Sequence, residues 1–226
     1  FDRLELAARV KSLVRQKRLN EDLDHASQVL FSIARAVESR DPNTGDHCER
    51  LVNLSDAFGG YLNLSRAQRR DLMWGSYLHD IGKVGIPDAV LLKTGKLNPK
   101  EWEVMRQHVL IGERICQPLR TMRGVIPIVL HHHERWDGTG YPRGLKGEEI
   151  PRSGRIVAVA DVFDALISER PYKRAWSLQE AMDYLRDNRG VLFDPRRVDA
   201  LLRHEAQLPE IIHRFGKPSR PGPHLQ

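Results

Sequence analysis

The sequence predicts an all-α fold. Apolar residues recur at helical spacing along most of the chain, and several of these stretches open on an N-cap residue or a first-turn proline. Alternating strand patterns and Asn-Gly hairpin signals are both lacking, so nothing in the pattern asks for a sheet.

Residues 1–24 (FDRLELAARVKSLVRQKRLNEDLD) hold no glycine or proline and set Leu6, Val10, Leu13 and Leu23 among charges, the mark of an amphipathic helix with an approximate heptad seam. We read it as a connector helix from an upstream domain, with a homodimer through residues 1–24 as its expected use. The chain starts at Phe1 rather than Met, which fits a piece of a longer protein. From Ala26 onward the signals are helical almost throughout. His47 opens the helix HCERLVNLSDAF. Ser65 caps a helix over 66–80, with Leu72, Met73, Tyr77 and Leu78 on its inner side. Asn98-Pro99 opens a helix through Glu101–His108, on which Trp102, Met105 and His108 share a face. RIVAVADVFDAL is an apolar helix around Asp161. Ser177 and Glu180 form a capping box before AMDYLRDN, and Asp194-Pro195 opens a helix over 195–204. The proline-rich tail 216–226 is expected to be disordered.

With 226 residues, 40% of them hydrophobic and 29% charged, the chain can bury one large core or two small ones. No apolar stretch approaches the roughly 20 residues that cross a bilayer. Residues 1–20 are too charged for a signal peptide. Two cysteines, Cys48 and Cys116, make neither a disulfide framework nor a thiolate metal site, and the expected compartment is the reducing cytoplasm. The net charge of +6 favours phosphate-bearing partners. Nucleic acid is not expected, because pairs such as Arg69-Arg70 and Arg196-Arg197 are scattered and have no aromatics between them.

The chemistry lies in His47, His79-Asp80, His108, His132-His133 and Asp161. Each alone reads as a satisfied core residue. Together they do not, since Asp80 and Asp161 sit among apolar neighbours where an unpaired carboxylate costs several kcal/mol. The surrounding helices supply imidazoles as partners. Neutral imidazoles beside ionised carboxylates on rigid helices form a divalent-cation site. Mixed nitrogen and oxygen donors suit iron, manganese, nickel or zinc, and donor type does not choose among them. Neighbours such as His79 and Asp80 are about 100° apart around a helix, so both reach one metal only at a helix end or from a shared edge. A carboxylate there can also bridge to a second metal about 3.5–4 Å away, and such a pair lowers the pKa of a water towards about 7 for attack on phosphorus.

This set resembles the metal pattern of the HD phosphohydrolase superfamily. The loop DGTGYP (137–142) together with HDIGKVGIP (79–87) is similar to the HD-GYP family, and the match runs from about Ile33 to Leu202. The resemblance implies a helical bundle over 25–215 that hydrolyses cyclic di-GMP to pGpG, and in some members on to GMP. It implies one metal on His47, His79, Asp80 and Asp161, with Asp80 bridging to a second on His108, His132 and His133. Lys83 matches the lysine at the scissile phosphate, Arg170 and Lys173 match residues that hold the substrate's phosphates and guanines, and Tyr141 is expected at the substrate. Asn43 stands where some members carry a glutamate for a third metal, so two metals are expected here. A receiver-like or other sensory module upstream is implied as well.

The stretch HHERWDGTGYP then makes sense as two ligands followed by a turn. Glu134 is expected to orient a ligand histidine from behind. Gly138 and Gly140 are expected to supply the positive φ of a sharp turn, and Tyr141 and Pro142 to stiffen the loop beside the site. In the family this loop is implicated in docking GGDEF-type cyclases. His131 is read as a bystander, and His25, His204, His213 and His224 are assigned nothing. Two alternatives stay open: a nucleotide-binding signalling adaptor with little turnover, and a hydrolase of a related cyclic dinucleotide.

Overall fold

The computed structural model describes residues 3–40, 47–169 and 174–215, and the regular structure of these residues is helical apart from one isolated bridge between Arg189 and Phe193. Asn43, Arg170, Lys173 and the tail 216–226 lie outside the described residues, as do the side chains of Leu23, His25, His213 and His224. The helices are α1 (Arg3–Arg40), α2 (His47–Tyr61), α3 (Arg66–Leu78), α4 (Asp88–Leu91), α5 (Pro99–Arg106), α6 (His108–Cys116), α7 (Ile126–His131), α8 (Arg152–Ile167), α9 (Leu178–Asp187), α10 (Pro195–Leu202) and α11 (Leu208–Phe215). Among the described residues no helix is long and apolar enough to cross a membrane.

The caps fall where side-chain chemistry puts them. Ser65 with Gln68, Asn98 with Glu101 and Ser177 with Glu180 each close a reciprocal capping box, and Asp194 accepts the Arg196 N–H at 2.9 Å. Two expectations are corrected. The helix through Glu101–His108 ends at Arg106, and His108 opens α6 after a break at Gln107. None of α5 is buried and Trp102 is 46% exposed, so Trp102, Met105 and His108 form no core stripe; His108 is buried because it starts a second, inner helix. On α3, Leu72 and Leu78 are buried as expected but Met73 is 38% exposed, one step round the helix from the inner residues Leu72, Gly75 and Ser76.

The main core packs α2 against α8, with Phe58, Phe163 and Leu51 fully buried between them and α10 closing one side. A smaller core joins the C-terminal half of α1, through Leu30 and Ala34, to Leu78, Ile81, Met122 and Val125. α1 is unbroken across residues 24 and 25. Its earlier part stands clear of the body, with Leu6 52% and Leu13 64% exposed.

One close approach sets up the site. A 3-10 helix, Ile81–Gly85, follows α3 and lies directly on α6. A Cβ on Gly82 would stand 1.8 Å from the His108 carbonyl oxygen and 2.5 Å from Gly112 N, so only glycine lets the two segments touch. That contact brings the start of α6 beside the end of α3, and His108 beside Asp80.

Candidate metal centre

Helix ends supply most of the centre. His47 begins α2, His79 and Asp80 follow α3, His108 begins α6, and His132 and His133 follow α7; Asp161 alone comes from mid-helix, on α8. An end lets adjacent residues face one point, which the interior of a helix forbids. The seven side chains converge in two groups, Asp80 with His108, His132 and His133, and His47 with His79 and Asp161, the donor atoms of each group lying within 4.8 Å of one another. Asp80 stands between the groups. Its Oδ2 is 3.3 Å from His79 Nε2, while its Oδ1 is 3.3 Å from His108 Nε2 and 3.9 Å from His132 Nε2.

The imidazoles are oriented from behind. His79 Nδ1 lies 2.8 Å from the Ser76 carbonyl, His108 Nδ1 2.7 Å from the Met105 carbonyl, and His132 Nδ1 3.1 Å from the Val129 carbonyl. A carbonyl only accepts, so each Nδ1 carries the hydrogen and each Nε2 turns a lone pair inward. Inside, His108 Nε2, His132 Nε2 and Asp80 Oδ1 are buried without a hydrogen-bond partner. Buried acceptors left facing one another are expensive unless a cation sits among them. The donor set and its orphaned atoms therefore fit divalent metal ions.

Charge divides the centre. Burial, with His108 beside it, pushes His133 down to about 3; burial also holds His132 well below the usual histidine range and lowers His108. On the other side burial would lower His47, but its hydrogen bonds to Asp161 and Asp164 win and raise it to about 10. Burial opposes ionisation of Asp80 as well, yet Lys83, whose Nζ is 2.8 Å from Asp80 Oδ2, and His79 hold that carboxyl well below its ordinary range. A small cavity beside the ligands is lined by Val37, Glu38, His47, Cys48, Asp80 and Lys83. Glu38, near the end of α1, accepts the Cys48 N–H at 2.8 Å and so pins the first turn of α2 beside His47.

A family model described as HD domain matches residues 32–197, and those residues contain all seven converging groups. This chain belongs to the HD domain family. It is 48% identical over 207 residues to the cyclic di-GMP phosphodiesterase response regulator RpfG of Xanthomonas campestris pv. campestris, covering 90% of this chain and 55% of that one. It is 40% identical over 181 residues to 3'3'-cGAMP-specific phosphodiesterase 2 of Vibrio cholerae, covering 79% and 35%. Among solved structures it resembles that of a cyclic GMP-AMP-specific phosphodiesterase of V. cholerae, V-cGAP3, with a TM-score of 0.64 and 23% identity over 84% of this chain and 51% of that one, a likeness of fold. The chain spans little more than half the length of the first relative and about a third of the second.

Around the candidate metal centre, this HD domain uses residues that sequence reasoning misses or places differently. Asp164, one turn after Asp161, accepts the His47 Nδ1 hydrogen at 2.7 Å and is held by Arg50 through Nε at 2.8 Å and Nη2 at 3.1 Å. Its signal was present, since VADVFDAL carries two acids three residues apart on an apolar helix. Glu134 is corrected: its buried carboxylate orients no ligand histidine but accepts the Arg143 N–H at 2.8 Å and the Leu145 N–H at 3.1 Å, tying down the loop. His131, the neighbour of the ligand pair, is buried near Glu134 at 3.7 Å and belongs to neither donor group. Gly138 has the expected positive φ of 87°, whereas Gly140 is required for space, because a Cβ there would lie 2.3 Å from Arg135 N. The loop places Tyr141 on the rim, its ring stacked on His133 with centroids 4.8 Å apart. His204 stacks on Tyr61 at 3.8 Å, far along the chain from the ligands.

Proposed function

We propose that this HD domain hydrolyses the 3'–5' phosphodiester of cyclic di-GMP to pGpG, and on to GMP, with two divalent transition-metal ions, iron, manganese or nickel ahead of zinc. His47, His79 and Asp161 would hold one ion, His108, His132 and His133 the other, with Asp80 shared between them. When bound, such a pair supplies Lewis acidity and a water whose pKa falls towards about 7. The chain's own residues do the rest. Lys83 is placed beside Asp80 to meet the scissile phosphate, Glu134 fixes the loop that carries Tyr141 to the rim, and Arg170 and Lys173 are assigned to the phosphates and guanines. With Asn43 in place of a glutamate, two ions suffice in this reading.

The observation that carries it is the set of inward, unpartnered acceptors, His108 Nε2, His132 Nε2 and Asp80 Oδ1, beside an ionised Asp80 and Lys83. Support for the substrate comes from the relative named as a cyclic di-GMP phosphodiesterase at 48% identity. A second reading, 3'3'-cGAMP as substrate, is favoured by the relative of that name at 40%. Metal-loaded protein should convert cyclic di-GMP to pGpG and Asp80→Ala should not; no product with iron, manganese or nickel rejects the proposal, and faster turnover of 3'3'-cGAMP selects the second reading. In the longer protein we assign the exposed apolar residues Leu6, Val10 and Leu13 of α1 to a homodimer, the 137–142 loop to docking GGDEF-type cyclases, and the whole to the cytoplasm.

A further inference from the structure

Arg106 ends α5, two residues before His108, and its guanidinium lies 5.2 Å over the Tyr141 ring. That ring stacks on His133, and its edge-on neighbour is His108, 6.3 Å between centroids. Arg106 therefore stands on the outer rim of the metal centre, separated from the ligands by one aromatic ring, with its side chain exposed. Among the described residues no carboxylate pairs with it; Glu101 of the same helix is taken by Lys93 at 2.6 Å. A cation over an aromatic face is held in place by the ring quadrupole while its N–H fork stays free to donate, and guanidinium matches phosphate in a bidentate way.

The charge of the proposed substrate gives such a group a partner. With two divalent cations bound, Asp80, Asp161 and Lys83 would leave a net positive site, suited to an anionic substrate. A cyclic dinucleotide has two phosphates, and the one engaged beside Asp80 and Lys83 leaves the other to be met further out. We propose that Arg106 holds the second, uncleaved phosphate of the cyclic dinucleotide, with Tyr141 keeping the guanidinium in position. This rests on the phosphodiesterase reading and adds Arg106 to the residues assigned to the phosphates, as the one that meets the uncleaved phosphate from the Tyr141 side.

The test compares two substrates. Arg106→Ala should raise KM for cyclic di-GMP about tenfold to a hundredfold, as expected for loss of a charge-assisted pair, with kcat nearly unchanged. Arg106→Lys should recover part of the loss. Bis(4-nitrophenyl) phosphate has a single phosphate, so its turnover should be the same in wild type and Arg106→Ala, and bound metal should not change. Equal losses on both substrates would show that Arg106 acts through Tyr141 and His133 on the metal centre, and no loss on either would make it a solvated side chain; both overturn the proposal. Equilibrium binding of a phosphorothioate analogue of cyclic di-GMP gives an independent reading, and equal affinity for wild type and Arg106→Ala overturns it again. A wild type that cleaves bis(4-nitrophenyl) phosphate but no cyclic dinucleotide rejects the substrate reading, while the binding comparison still decides Arg106.

Discussion

Asp164 accepts the Nδ1 hydrogen of His47 at 2.7 Å, from a position one helical turn beyond Asp161, which faces the same imidazole's Nε2 at 3.4 Å. One histidine is thus gripped from both ends by carboxylates of a single helix. Asp164→Asn keeps the shape but removes the charge. It should lower affinity for a divalent ion at the His47 side about 10–100-fold, measured by competition with a chromophoric chelator. Unchanged affinity would reduce Asp164 to a packing role.

Metal uptake should depend on pH in a lopsided way. His47 is raised to about 10, so at neutral pH it must shed a proton before its lone pair can reach a cation, whereas His133, lowered to about 3, is already neutral. Affinity at the His47 side should climb with pH up to about 10, and affinity at the His133 side should stay nearly flat above neutrality. Titration calorimetry in buffers of different ionisation heat should register proton release on binding. For folding without metal the sign is opposite: the raised His47 adds stability that is complete below its ordinary value of about 6.5 and is lost as pH rises through about 10.

Lys83→Gln removes the cation 2.8 Å from Asp80. Turnover of cyclic di-GMP should fall about a hundredfold or more, with bound metal retained, because one fixed charge at the reacting phosphate is gone. In the metal-free protein the Asp80 carboxyl should move up towards its ordinary range, since Lys83 is the first of the charges that hold it down.

Glu134→Gln leaves one oxygen for two loop N–H donors. The stranded buried donor costs about 1–3 kcal/mol. Amide exchange at Arg143 or Leu145 should speed up and KM for cyclic di-GMP should rise, while metal content holds. A fall in metal content instead would return Glu134 to the role of orienting a ligand.

Gly82→Ala forces a methyl into the His108 carbonyl. The 3-10 helix and α6 must separate, at a cost of about 1–3 kcal/mol or more, and the melting temperature should drop by at least about 2 °C. Metal affinity should fall with it, since the same contact sets the distance from Asp80 to His108.

The all-α class and the helix starts were legible because caps act locally: Ser65, Asn98, Ser177 and Asp194 each satisfy N–H groups within three residues of themselves. That the seven donors belong together was legible from their spacing and type. What failed was direction. Trp102 and Met73 sit at helical spacing yet face solvent, because periodicity fixes a stripe without saying what lies against it. Glu134 was assigned to the nearest histidines because the fold-back of the loop onto it, nine to eleven residues later, has no local signature. Asp164 carries no local signal of its partner, because His47 lies 117 residues away in the chain and only the packing of α2 on α8 brings them together.

α1 has no joint. Thirty-eight residues in one helix make a rod about 57 Å long, and among the described side chains its packing on the body runs from Leu30 and Ala34 to Glu38, which grips the N–H beside His47, and Arg40, which pairs with Asp88. A displacement of such a rod would reach the first turn of α2 through Glu38 and the Cys48 N–H, one residue from His47.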